Sequence, residues 1–136
     1  MMKIILIPIA LTLIACSPNS NQEITGEKSQ RVEKDKISYT GSFSVPADAR
    51  AKYVVVGEVV VNTEGYATIT TERQGPSGTS YTIREVDCSR MLARYTADAD
   101  TLEEASSQNF DSKFGPLVAG SSTDTAARYA CNIVGK

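Results

Sequence analysis

The hydrophobic pattern changes period once along this chain, and that change limits the folds open to it. Ile37, Tyr39, Gly41, Phe43 and Val45 alternate with Ser38, Thr40, Ser42 and Ser44, the period of two expected of a half-buried strand that ends at Pro46. In residues 53–61, Tyr53, Val55, Val59 and Val61 share one face while Val54, Val56, Glu58 and Val60 make the other mixed. This segment reads as the central strand, with Gly57 at a bulge or a close packing contact. Asn62-Thr63-Glu64-Gly65 is a turn, residues 66–73 form a strand with Ala67, Ile69 and Thr71 on one face, Gln74-Gly75-Pro76-Ser77-Gly78 is a loop, and residues 81–88 return as a further strand. Short connections of this kind favour an antiparallel meander. Residues 89–98 alternate like a strand but also have good helix propensity, so both readings stay open, strand preferred. Residues 98–113 are polar and irregular, with a short turn at 102–105.

From Ser121 the period becomes helical. Ser121-Ser122-Thr123-Asp124 offers N-cap residues and an acid for the first turn, then Ala126, Ala127, Ala130, Cys131 and Val134 form an apolar stripe ended by Gly135. The expected fold is α+β: a single antiparallel β-sheet of about 4–6 strands with a C-terminal helix packed on one face.

The three cysteines fall into two roles. Residues 1–15 hold Lys3, an apolar run over residues 4–14 and then Ala15. Leu13-Ile14-Ala15-Cys16 looks like a lipobox, the cleavage and lipidation signal of a bacterial lipoprotein. The apolar run is far shorter than the roughly 20 helical residues a bilayer span needs. Cys16 is therefore expected to carry acyl chains that hold the chain to a membrane, several chains being needed for lasting attachment. Ser17 after it matches lipoproteins sent to the outer membrane, with the surface and the periplasmic face both open as orientations. Residues 17–36 hold Ile24 and Val32 as their only aliphatic side chains, so residues 16–36 read as a lipidated Cys and a flexible polar tether of roughly 25 Å reach. That leaves Cys88 and Cys131 as a pair in a compartment that permits disulfides, expected to clamp the C-terminal helix of the 37–136 domain onto the sheet.

Several chemistries are excluded early. The chain has no His, which removes the usual general acid/base, the Ser-His-Asp triad and imidazole metal sites. There is no phosphate-cradling Gly-Lys-Ser/Thr loop and no Gly-x-Ser-x-Gly elbow. No signal pairs two of the 16 acids for glycoside hydrolysis. No enzyme activity, cofactor or metal is expected. Asp98, Asp100, Glu103 and Glu104 lack the third ligand position and the turn Gly of a calcium loop, so they read as a solvated acidic loop. With 14 basic against 16 acidic residues, nothing calls for nucleic acid. Arg84, Arg90 and Arg94 surround Cys88 and are the candidate protein-binding residues; the competing reading pairs them locally with Glu72, Glu85 or Asp87. A homodimer stays open.

Val86-Asp87-Cys88-Ser89-Arg90, then Phe114-Gly115-Pro116-Leu117-Val118-Ala119-Gly120-Ser121 and Tyr129-Ala130-Cys131, resemble the surface-adhesin protein E family of small bacterial lipoproteins. The resemblance covers residues 53–131, with Phe114 where the family usually has Trp. It implies a sheet-and-helix fold held by one disulfide, and binding of host vitronectin or laminin through a basic surface. The expected function is an outer-membrane lipoprotein with a protein-binding, adhesin-like domain directed at host matrix or serum proteins. The alternative is a periplasm-facing accessory or exclusion lipoprotein of an envelope machine, with no host ligand.

Overall fold

The computed structural model describes residues 37–135. The expected signal (1–15), the lipidation at Cys16 and the tether (16–36) lie outside the described residues. Six strands form one sheet in sequence order: β1 (Tyr39–Phe43), β2 (Lys52–Val61), β3 (Ala67–Gly75), β4 (Gly78–Asp87), β5 (Leu92–Ala99) and β6 (Gly115–Pro116). Every neighbouring pair is antiparallel. Between them lie a 3₁₀ turn (Pro46–Asp48), a short helix α1 (Leu102–Ser107) and the C-terminal helix α2 (Ser122–Ile133). The fold is α+β as the change of period implies.

Some of the finer expectations are corrected. β2 is not central; it lies between β1 and β3, and the middle of the sheet is β3 and β4. Gln74 to Gly78 is not a loop, because the β3–β4 ladder runs on to Gly75 opposite Gly78 and leaves Pro76 and Ser77 as a two-residue connection. Gly57 does mark a bulge: its φ is 68°, and the pairing with β3 shifts between Val56 and Val60. Residues 92–99 settle as strand, entered by a turn in which Met91 takes a left-handed φ of 52°.

α2 covers what we term the near face. Val55, Ala67, Ile69, Val86 and Ala93 of the sheet meet Ala126, Ala127, Ala130 and Cys131 of the helix in one buried cluster. Alanines allow this helix to lie close to the strands, and Ser121 caps it by accepting from the Asp124 amide at 3.1 Å. At the other end of the stripe the disulfide joins Cys88, just past β4, to Cys131 with Cα atoms 5.5 Å apart.

The opposite, far face is not simply wet. Val56, Tyr81, Ala97 and Ala105 form a second buried cluster, with Ile37, Ile83, Ala99 and Leu102 packed on it. Two bulges build it. The β1–β2 register shifts at Thr40, so Phe43 faces α2 while Tyr39 turns to the far face, where its hydroxyl donates to Glu72. The β4–β5 register shifts at Thr96, so Ala93 is near and Ala97 is far. A one-residue slip moves all later side chains across the sheet. The uninterrupted alternation read for residues 37–45 and 91–97 is corrected accordingly. Glu72 is wholly buried there, with Gln74 Nε2 donating to it at 2.7 Å. Burial, then the Glu72 carboxylate, raises the Tyr39 phenol above its ordinary pKa.

Candidate protein-binding surface

The three arginines around Cys88 do not make one basic patch. β4 and β5 pair Arg84 with Tyr95 and Glu85 with Arg94, and strand alternation puts the first pair on the near face and the second on the far face. Arg84 is buried under α2. Arg90 lies in the β4–β5 turn rather than on a strand, so it does not share a strand face with Arg94.

Arg90 is the exposed member, and its Nε donates to Asp87 Oδ2 at 2.6 Å. Asp87 also accepts from Ser89 Oγ at 2.6 Å and from the amides of Ser89 and Arg90, each at 3.1 Å. The Ser89 hydroxyl first, and then Arg90, pull the Asp87 carboxyl down to about 2. Arg94 reaches Glu85 Oε2 through Nη2 at 2.6 Å and through Nε at 2.7 Å, with Glu64 farther out at 3.8 Å. Asn62 Nδ2 holds the second oxygen of Glu85 at 2.9 Å. The hydrogen bond to Glu85 raises the Arg94 pKa despite its partial burial. The local pairing considered for these residues therefore holds for Arg90 and Arg94, with Asp87 and Glu85 as partners; Glu72 has none of the three.

What the sequence reading misses is the aromatic half of this surface. The Arg94 guanidinium lies 4.8 Å from the Phe114 ring centroid, and Phe114 tilts against Tyr66 at 4.6 Å. The segment carrying Phe114 is brought there by β6, where Pro116 pairs with Leu92 and Gly115 with Ala93. The Arg90 pKa is also raised by charge interaction with Tyr66, after the larger effects of Asp87. Tyr66, Phe114 and Arg94 are all partly exposed. They sit on a part of the far face that α1 does not reach, since α1 packs on the cluster around Tyr81 and Ala97. Tyr and Arg are enriched among the residues that carry most of the binding energy at protein interfaces, and an arginine over a ring adds a cation–π contact. A signal was available: Phe114 opens the Phe114–Ser121 segment that carries the resemblance.

The acidic segment 98–104 sits apart, lining an open pocket of about 340 Å³ with Ser80, Asp98, Ala99, Asp100 and Glu104. Among the described residues, no cluster of three acidic or thiol ligands could hold a metal ion. No described helix is long and apolar enough to cross a membrane. No family model, curated protein or solved structure matches the chain.

Proposed function

We propose that this chain is an outer-membrane lipoprotein, held by acyl chains on Cys16, whose domain binds a protein through the far-face surface of Tyr66, Phe114, Arg94 and Arg90. The observation that carries the reading is the Phe114 ring held between Arg94 and Tyr66 on a face that neither helix covers there. Such a surface offers apolar area and fixed charge together, and it costs little entropy because Glu85 and Asp87 already orient the guanidinium groups. The resemblance of the Asp87-Cys88, Phe114–Ser121 and Tyr129–Cys131 segments to the surface-adhesin protein E family makes host vitronectin and laminin the first ligands to try. The Cys88–Cys131 bridge agrees with the one-disulfide fold that this resemblance implies.

The test is binding of the full-length protein to immobilised vitronectin and laminin, with the Phe114→Ala and Arg94→Gln variants beside it. Each variant is expected to weaken capture at least about tenfold in Kd, about 1.4 kcal/mol. Equal capture by correctly folded variants removes the surface from the function.

A second reading, the periplasm-facing accessory lipoprotein, gains support from the β2 edge. β1 pairs with β2 only as far as Val56. Beyond Gly57, Val60 and Val61 are half-exposed on an edge that no described strand covers, and open edges suit strand addition in assemblies. Protease treatment of intact cells separates the two readings: an adhesin is cut, and a periplasm-facing protein is spared.

A further inference from the structure

Arg84 is 3% exposed, and among the described residues no carboxylate lies within ion-pair distance of it. Its Nη1 donates to Thr71 Oγ1 at 2.7 Å, and its Nη2 is aimed at the first turn of α2, reaching Ser122 Oγ at 3.4 Å. Its Nε is buried and meets no hydrogen-bond partner among the described residues. A guanidinium taken out of water needs a counter-charge or a full set of acceptors, and this one has neither.

Its position sharpens the imbalance. The N-terminus of a helix carries about half a positive charge, so α2 adds to the Arg84 charge instead of offsetting it. Asp124, in that first turn, is engaged elsewhere: it accepts from the Gly120 amide at 3.0 Å and from Arg128 Nε at 2.8 Å. The amides of Ser122 and Thr123 have no intrahelical acceptor, and none is found for them among the described residues. The Tyr95 ring lies 4.9 Å beneath the Arg84 guanidinium, and its hydroxyl meets Thr123 Oγ1. Tyr95 is 40% exposed, so this corner opens to solvent. Burial pushes the Tyr95 phenol up, but the bond to Thr123 and the Arg84 charge outweigh it and leave the phenol more acidic than usual.

We propose that Arg84, Tyr95 and the first turn of α2 form a binding site for a phosphate group. The amides of Ser122 and Thr123, the Ser122 hydroxyl and the one hydroxyl of the Thr123–Tyr95 pair that keeps a free proton are the direct donors, and the buried Arg84 supplies charge. Four donors at one corner suit a tetrahedral oxyanion with several oxygens better than a two-oxygen carboxylate. The site stands on the near-face edge, independent of the protein-binding surface, and does not rest on it.

The experiment is an amide NMR titration of the full-length protein with inorganic phosphate, in buffer free of phosphate and sulfate. Saturable shifts centred on Ser122 and Thr123, with a Kd of about 1 mM or tighter, are expected. Ser122→Pro removes one amide and one hydroxyl while keeping the helix, because proline suits the first helical position. It is expected to weaken phosphate at least about tenfold, and Arg84→Gln at least as much. If Arg84→Gln does not fold, Ser122→Pro alone decides. Titration with soluble dihexanoyl phosphatidic acid distinguishes the sources: binding at least about tenfold tighter than inorganic phosphate identifies a lipid headgroup, and equal binding identifies free phosphate. The proposal is overturned if those amides show no saturable shift, or if Ser122→Pro binds phosphate as well as the parent.

Discussion

Asp87 sets the connection between two strands with a single carboxylate. One oxygen collects the Ser89 amide, the Ser89 hydroxyl and the Arg90 amide, and the other takes Arg90 Nε. The chain is thereby turned immediately around Cys88, which fixes where the disulfide leaves the sheet. These bonds, the Ser89 hydroxyl foremost, hold the carboxyl at about 2, below the roughly 3.9 of an unfolded Asp. A depressed folded pKa contributes stability that is fully present above the unfolded value and is lost as pH falls through the folded one. The denaturation midpoint is therefore expected to fall between pH 4 and pH 2, and Asp87→Asn should lower it at neutral pH while flattening that acid limb. Chemical denaturation across this range reads both effects; an unchanged acid limb in the variant shows that other carboxylates set it.

At the scale of elements, the packing of β1 against α2 is a matter of one missing side chain. A Cβ built on Gly41 would stand 2.0 Å from the Tyr129 hydroxyl, and the Tyr129 ring lies 5.7 Å from that of Phe43. Gly41→Ala must push Tyr129 off this seat and is expected to cost about 1–3 kcal/mol, as overpacking does. Adding Tyr129→Phe removes the clashing oxygen, and thermal unfolding should recover part of the loss. The need for Gly here was not legible in the sequence, where Gly41 reads as one more position in an alternating strand. The same limit explains the far face. Period two locates β1 through β5, and helical spacing with its Ser121 cap locates α2, because each pattern reports its own local geometry. A bulge leaves no such mark: Thr40 and Thr96 look like ordinary strand residues, yet they send Tyr39 and Ala97 to the far side. The short turn read at 102–105 is a six-residue helix, capped where Thr101 accepts from the Glu104 amide at 3.2 Å in the Thr-x-x-Glu spacing of a capping box. The burial of Arg84 was not readable, because charge in a strand reads as surface until a helix is known to lie over it. The functional candidates thus divide: Arg90, Arg94 and the cysteines could be named from the sequence, whereas the roles of Phe114 and of the first turn of α2 depend on contacts across the fold.

For the molecule as a whole, the near-face core is small and built largely from alanine, so its hold on α2 is supplemented at both ends. At the N-terminal end, Arg84 donates to Ser122 and the Tyr95 and Thr123 hydroxyls meet. The C-terminal end has the covalent bond from Cys131 to Cys88, closing a sequence separation of 43 residues. Alanine burial contributes little area per residue, so this cross-link carries a large share of the stability. Loop-closure entropy for a link of this span amounts to about 4 kcal/mol, against roughly 5–15 kcal/mol for a typical domain. Replacing both cysteines by Ser is therefore expected to lower Tm by about 15–30 °C, at roughly 4–8 °C per kcal/mol for a domain of this size. Reductant should do the same to the parent protein and nothing to the variant. Because the bond lies beside the turn that holds Arg90, loss of the bridge should also weaken any ligand captured by the far-face surface before global unfolding sets in. A parent protein whose Tm is indifferent to reductant, with its thiols verified free, would mean that α2 is held by its alanine contacts and cap alone.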